Sequence, residues 1–216
     1  MQDIPMFTTE NGVASLTLKE IPYCADAYVH ILDCAKPDPF IKECASFCRM
    51  AGAESVYLSG KKIPDKYPIF TEIWKMQCPR SKLLETDAFA LAVDASSKDD
   101  WREIYNSRMS DIPTAAFMSN TRLEHLLNYA SAYFVYRNNT LLGIGAGSEQ
   151  RIDCIASVLP GAGKDVMCAL AKSLSGDLVL LEVASENKRA VAFYERLGFI
   201  KTDVKEIWHQ FIPENT

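Results

Sequence analysis

The stretch "ENKRAVAFYERLGF", residues 186–199, is a helix written with its own start and stop. Asn187, or Ser185 just before it, can cap the first turn by accepting a hydrogen bond from an early N–H. Ala190, Val191, Tyr194 and Leu197 recur at three- and four-residue spacing and form one apolar face, with Phe193 beside it. Gly198 suits the left-handed position just past a helix end. Helix grammar accounts for everything except Tyr194, because a phenol in the middle of a buried face needs a partner for its hydroxyl.

Working outward, "DLVLLEVAS" (177–185) is apolar on both faces and reads as a buried strand, and "KTDVKEIWHQFI" (201–212) reads as a last strand of mixed alternation. Upstream, "KDVMCALAKSL" (164–174) carries apolar residues at 166, 167, 170, 171 and 174, the period of one helix face. It follows the turn Pro160-Gly161-Ala162-Gly163 and the strand "RIDCIASVL" (151–159). "SAYFVYRNNTLLGIGAGS" (131–148) holds two β-rich runs around Asn138-Asn139, a dipeptide that tolerates positive φ, and so reads as a hairpin. Its glycines at 143, 145 and 147 have no helix directly after them, so they are read as close packing and not as a dinucleotide fingerprint. "DAFALAVDASSKDDWREIYNSRM" (87–109) reads as strand, serine-rich cap and helix, and "SNTRLEHLLNYA" (119–130) as a second helix. The resulting order, β-α-α-β-β-β-α-β-α-β, is a complete α/β (α+β) domain assigned to residues 86–216.

Residues 1–85 read as a smaller α/β domain: strands at 12–21, 26–34, 54–60 and 69–78, and a helix at 39–52 ending on a glycine. This β-β-α-β-β succession echoes the later strand, strand, helix, strand run, which suggests a degenerate half-copy. Its helix is preceded by Ala35-Lys36-Pro37-Asp38-Pro39, where two prolines lack the amide hydrogens that a phosphate would need.

The totals bound the function. Of 216 residues, 48% are hydrophobic, enough for a proper core, and the net charge of -5 sets up no global field to attract nucleic acid. Seven cysteines, an odd number without a CxxC pair, point to a reducing, cytoplasmic setting. No zinc set completes the Cys44/Cys48 spacing, and no apolar run reaches the ~18 residues of a membrane span, so neither metal nor membrane is expected. The N-terminal residues lack a basic leader with an apolar core.

The turn "LPGAGKDV" (159–166) opens a helix with glycines and Lys164, a plausible cradle for a pyrophosphate at unsatisfied backbone amides. Here the chain resembles the GCN5-related N-acetyltransferase (GNAT) family. The string Asn187-x-x-Ala190-x-x-Phe193-Tyr194-x-x-x-Gly198-Phe199 is similar to that family's late signature, and Val158-Leu159-Pro160 to the V-x-P that leads into its phosphate loop. The loop aligns in two registers. Alignment on Leu170 puts Asp165 and Met167 where glycines are usual; alignment on the glycines uses Gly161 and Gly163.

The resemblance, over residues 87–211, implies a mixed sheet with splayed strands flanked by helices, and acetyl transfer from acetyl-CoA to a primary amine by direct attack. It implies cofactor contacts along Ile155, Ala156, Ser157 and Val158, at Gly161, Ala162, Gly163, Lys164, Asp165 and Val166, and at Asn187, Phe193 and Tyr194. Tyr194 would be the general acid toward the departing thiolate, since a phenol of pKa about 10 is protonated at neutral pH. An N–H near Ile155 to Ser157 would serve the acyl oxygen. An amine of pKa about 10.4 must also lose a proton, for which Asp153 and Glu149 are the candidate carboxylates. By the same resemblance Tyr105, Arg108, Asp111 and His125 would border the acceptor, a small molecule or a peptide amine. A non-catalytic acyl-CoA-binding module and a tandem transferase using another acyl donor are the alternatives, and both monomer and homodimer are open.

Overall fold

The computed structural model describes residues 5–110, 112 and 114–213. It contains β1 (Met6–Thr9), β2 (Gly12–Thr17), α1 (Ile21–Cys24), β3 (Asp26–Cys34), α2 (Pro37–Met50), β4 (Ser55–Gly60) and β5 (Ile69–Pro79). After a 3-10 turn (Arg80–Leu83) come β6 (Phe89–Ala92), α3 (Lys98–Met109), α4 (Asn120–Leu127), β7 (Ser131–Arg137), β8 (Thr140–Ser148), β9 (Arg151–Ser157), α5 (Gly163–Ser173), β10 (Leu178–Ala184), α6 (Lys188–Arg196) and β11 (Ile200–Gln210). The architecture is mixed α+β. Two short elements depart from the sequence reading: β1 has no counterpart in it, and the strand expected over 12–21 stops at Thr17. There the chain turns into α1, with Pro22 in its first turn and Ala25 at a positive φ of 56° beyond its end.

The chain divides into two compact units, Met1–Ile73 with Val204–Thr216, and Trp74–Asp203. This differs from the boundary read at 85/86. Both ends of the second unit fall inside strands, because β5 follows β4 in sequence but neighbours β10, whereas β11 follows α6 but pairs with β4. Sequence order alone assigns each strand to the element before it.

In the first unit β2 pairs antiparallel with β3, and β3 pairs parallel with β4 through the α2 crossover. α2 buries Phe40, Ile41, Cys44, Ala45 and Cys48 against Ala14, Leu16, Val29, Ile31 and Leu58. In the second unit the same succession recurs: β8 antiparallel to β9, then β9 parallel to β10 through α5. One difference matters. β3 and β4 stay paired from Asp26↔Ser55 to Ile31↔Gly60, whereas the β9–β10 register is Leu180↔Arg151 and Leu181↔Ile152.

The second unit packs helices on both faces of its strands. α5 and α6 cover one face with Val166, Met167, Leu170, Val191 and Tyr194; α3 and α4 cover the other with Trp101, Tyr105, Leu123 and Leu126. Burying each of Val166, Met167 and Leu170 contributes about 1.5–3 kcal/mol. α5 comes this close because β8 is glycine at every second position on that side: a Cβ at Gly145 would sit 2.3 Å from Leu170 Cδ1, and one at Gly143 2.8 Å from Val166 Cγ2. The β7–β8 hairpin turns on Asn138 and Asn139 with φ of 49° and 62°, as the dipeptide predicts.

Candidate active site

α6 is built as its sequence dictates. Asn187 Oδ1 accepts the Ala190 N–H at 3.1 Å, capping the first turn. At the other end Gly198, with φ 94°, lets its N–H donate to Glu195 O at 2.9 Å and the Phe199 N–H donate to Tyr194 O at 3.0 Å. This paired stop usually carries a hydrophobic contact across it. Here that contact is between the Tyr194 and Phe199 rings, 5.6 Å apart, and the Phe193 ring is 5.5 Å from that of Tyr194. The glycine that ends the helix therefore also fixes the phenol. Tyr194 is 8% exposed, and its hydroxyl makes no hydrogen bond among the described residues. Burial, reinforced by the neighbouring Cys154, pushes its pKa up to about 12.

β9 provides the other wall. Past Ile152 its backbone faces β8 on one side, with Cys154, Ile155, Ala156 and Ser157 opposite Ala146, Gly145, Ile144 and Gly143. On the other side, among the described residues, the β10 register ends at Leu181↔Ile152, so the backbone along 153–157 is not paired with β10. The β8–β9 register passes from Ala146↔Cys154 to Gly147↔Ile152, which makes Asp153 the extra residue of a β-bulge. Bulges re-aim side chains beside sites. The Asp153 side chain is 10% exposed; Oδ1 pairs with the Arg151 guanidinium, whereas Oδ2 is buried with no hydrogen-bond partner. Its charge, after the larger effect of burial, helps push the Cys154 thiol up to about 12.

The α5 N-terminus lies at the far end of β9. Gly161 has φ 82° and open space around it, and a Cβ at Gly163 would meet the Phe193 ring at 3.2 Å. The positive φ favours glycine at 161, and a side chain at 163 would press on the Phe193 ring. Met167 is in the core and Val166 is buried, so neither faces the loop. Asp165 is held away by neutralising partners: it accepts from Thr86 Oγ1 at 2.8 Å and pairs with Arg137 at 3.0 Å. Lys164 is exposed, and Ala162 is buried at the N-cap.

The remaining candidates are dispersed. Glu149 is an exposed hairpin-turn residue with φ 50°, at the opposite end of β9 from Ser157. Its position does not bring it to Tyr194; Asp153 is the carboxylate on the opened strand. Tyr105 is committed to the core, ring against Trp101 at 5.6 Å and hydroxyl donating to Ala116 O at 3.2 Å. Arg108 donates to Val158 O at 2.9 Å, tying α3 to the end of β9. His125 is exposed on α4 and meets Tyr129 edge-on at 5.6 Å. Asp111 lies outside the described residues. The sequence reading passed over Cys154, Arg151 and Tyr129; alternation along β9 flagged only the carboxylate, and the bulge that brings these groups together has no local signature.

No protein-family model matches the chain, and no curated protein matches it in sequence. Solved structures do. A functionally unknown conserved protein from Staphylococcus epidermidis aligns over 97% of this chain and 94% of its own at 13% identity, with a TM-score of 0.63. A GCN5-related N-acetyltransferase from Sphaerobacter thermophilus aligns over 92% and 76% at 13% identity, with a TM-score of 0.56. The chain has the GNAT fold. A tandem GNAT protein from the clavulanic acid biosynthesis pathway aligns over 95% of this chain and 80% of its own at 10% identity, with a TM-score of 0.50. Among the described residues no helix is long and apolar enough to cross a membrane, and no group of three His, Cys, Asp or Glu side chains is arranged to hold a metal ion.

Proposed function

We propose that the chain is a cytoplasmic N-acetyltransferase that moves an acetyl group from acetyl-CoA to a primary amine, with the chemistry in the second unit. The observation that carries this reading is the end of the β9–β10 register at Ile152, with the unbonded Tyr194 phenol beside Cys154 of the opened strand. The cleft suits the cosubstrate: a strand edge for an extended amide chain, and a glycine-bearing helix N-terminus for a pyrophosphate. Acetyl-CoA, when bound, supplies an acyl carbon activated by its thioester.

The chain's own groups then divide the work. Backbone amides at 161–164 bind phosphate oxygens, and the Arg137 pair cancels the charge of Asp165. Asn187 and Phe193 border the cofactor arm, and an N–H between Ile155 and Ser157 stabilises negative charge on the acyl oxygen. Tyr194 keeps its proton on Oη across the physiological range and donates it toward the departing sulfur. Asp153, the carboxylate on the opened strand, accepts the proton of the incoming ammonium. Freeing an alkyl amine at pH 7 otherwise costs about 4–5 kcal/mol. We read the first unit as a degenerate half-copy without a cofactor site. Supporting this are the unbroken β3–β4 pairing and the prolines in the first turn of α2.

The test is incubation with acetyl-CoA and an amine panel, following free thiol, with Tyr194→Phe alongside. Thiol release that depends on an amine and drops in the variant supports the proposal. Tight CoA binding without release from any amine would make the chain a binding module, and weak CoA binding with turnover of another acyl donor would make it a different transferase.

A further inference from the structure

In the second unit the sheet ends at β6. Among the described residues no strand pairs with the outer side of β6, since the strand order stops there after β7. The pairing with β7 is antiparallel and unbroken from Phe89↔Tyr136 to Ala92↔Tyr133, and one residue further the Val93 N–H donates to Ala132 O at 2.8 Å. In an antiparallel ladder alternate residues bond to the same neighbour. Phe89, Leu91 and Val93 therefore bond to β7, and Ala90 and Ala92 turn their N–H and C=O groups outward. Side chains alternate too, so Phe89 and Leu91 stand on the Phe134 and Tyr136 face, 52% and 54% exposed. Leu91 borders a cavity of about 460 Å³ that Ile104, Phe134, Tyr136 and Leu141 also line. Sheet edges template strands from other molecules and are normally guarded by a lysine, a proline, an inward charge or a bulge. The run Ala88-Phe89-Ala90-Leu91-Ala92-Val93 has none of these.

We propose that β6 is a dimer interface, along which two copies of the chain pair antiparallel about a two-fold axis. This holds whether or not the second unit is an acetyltransferase. The outward backbone groups of Ala90 and Ala92 require an extended strand, and a second β6 supplies one in matching register. Setting Ala90 of each copy opposite Ala92 of the other satisfies those groups on both strands and brings Leu91 of the two copies together on the axis. Phe89 then falls opposite Val93, so an apolar seam crosses the interface beside the two cavities. The same register sets Asp94 opposite Ala88 and Asp87 opposite Ala95, so the acids that flank the strand do not confront each other. A two-fold contact consumes both edges at once, which stops the association at two. A strand this short makes a small interface, of the class below about 1,200 Å², so the dimer should exchange with monomer.

Sedimentation velocity across the micromolar range should show that exchange as a concentration-dependent rise toward twice the mass of one chain. Ala92→Pro removes an outward N–H and leaves the β6–β7 bonds in place, and Leu91→Lys sets like charges together on the axis. Each should weaken the dimer by about tenfold or more, with far-ultraviolet circular dichroism and unfolding midpoint unchanged. Cross-linking reads the register separately, in a Cys24→Ser background because Cys24 is the exposed native thiol. Leu91→Cys should give a disulfide-linked dimer on treatment with diamide, since its two Cα atoms would lie about 4.5 Å apart, and Phe89→Cys should not. A chain that stays monomeric at every concentration overturns the proposal. So does a dimer that both variants leave intact, or one that cross-links through position 89 in preference to 91.

Discussion

Replacing Asp153 with alanine separates stability from catalysis. Oδ2 is buried without a partner, and leaving such an acceptor unmade costs about 1–3 kcal/mol. Oδ1 pairs with an arginine whose side chain is 47% exposed, and a pair of that kind is worth about 0–1 kcal/mol. Removing both groups should therefore stabilise the fold by about 1–2 kcal/mol, which for a chain of this length raises Tm by about 2–8 °C. The same change removes the proton acceptor and should lower kcat/KM by about 10²–10⁴. Asp153→Asn, which keeps the volume and one acceptor, should lose activity with little change in Tm. Thermal unfolding followed by circular dichroism, beside thiol release, reads both quantities. A loss of more than about 1 kcal/mol in the alanine variant would mean that Oδ2 is satisfied in solution, against the reasoning above. Undiminished turnover would remove Asp153 from the chemistry. Opposite movement of the two readouts is what neither general damage nor a bystander produces.

Tyr194→Phe removes a hydroxyl with no partner among the described residues, so stability should stay within about 0.5 kcal/mol while kcat falls by about 10²–10⁴; equal kcat would refute the role. Gly198→Ala forces a side chain into a left-handed backbone and should cost about 1–2 kcal/mol in denaturant unfolding. It should also reduce kcat, because the stop it disturbs clamps Tyr194 against Phe199. Burial holds Cys44 and Cys154 at about 12 and Cys48 at about 11, against about 9 in the unfolded chain. Between those values the native chain keeps protons that the unfolded chain has lost. Stability should hold below pH 9 and decline as pH rises toward 12, by up to about 1.4 kcal/mol per unit for each thiol. A flat denaturation profile over that window would show that the thiols are not sequestered.

What the sequence made legible was local. Periodicity found α5 and α6, the Asn138-Asn139 dipeptide found its hairpin, and Asn187 and Gly198 marked both ends of the helix that carries the candidate acid. The doubled glycines of β8 read as close packing because alternate positions share a face, and α5 does press there. What escaped was set by residues distant in sequence. The extra residue at Asp153 exists only relative to Gly147 on the next strand, and the partner of Asp165 is Arg137 at the end of a hairpin. Tyr105, expected from the resemblance to border the acceptor, is drawn into the core by Trp101 one turn earlier. Neighbour choice between β5, β10, β11 and β4 is likewise decided by pairing that no short window contains.

That crossing of β5 and β11 bears on how the protein can be divided. One break at any point in the sequence leaves at least one unit incomplete, since residues 204–213 complete the first and residues 74–79 belong to the second. A fragment cut at 86 would hold Tyr194 and Asp153 but not the β5 segment beside β10, and it would carry the end of β11 without β4. At the level of the gene the consequence is that neither half can be shuffled, duplicated or lost as a contiguous cassette. Either unit, taken as one contiguous stretch, would lack strand residues that lie on the other side of the cut.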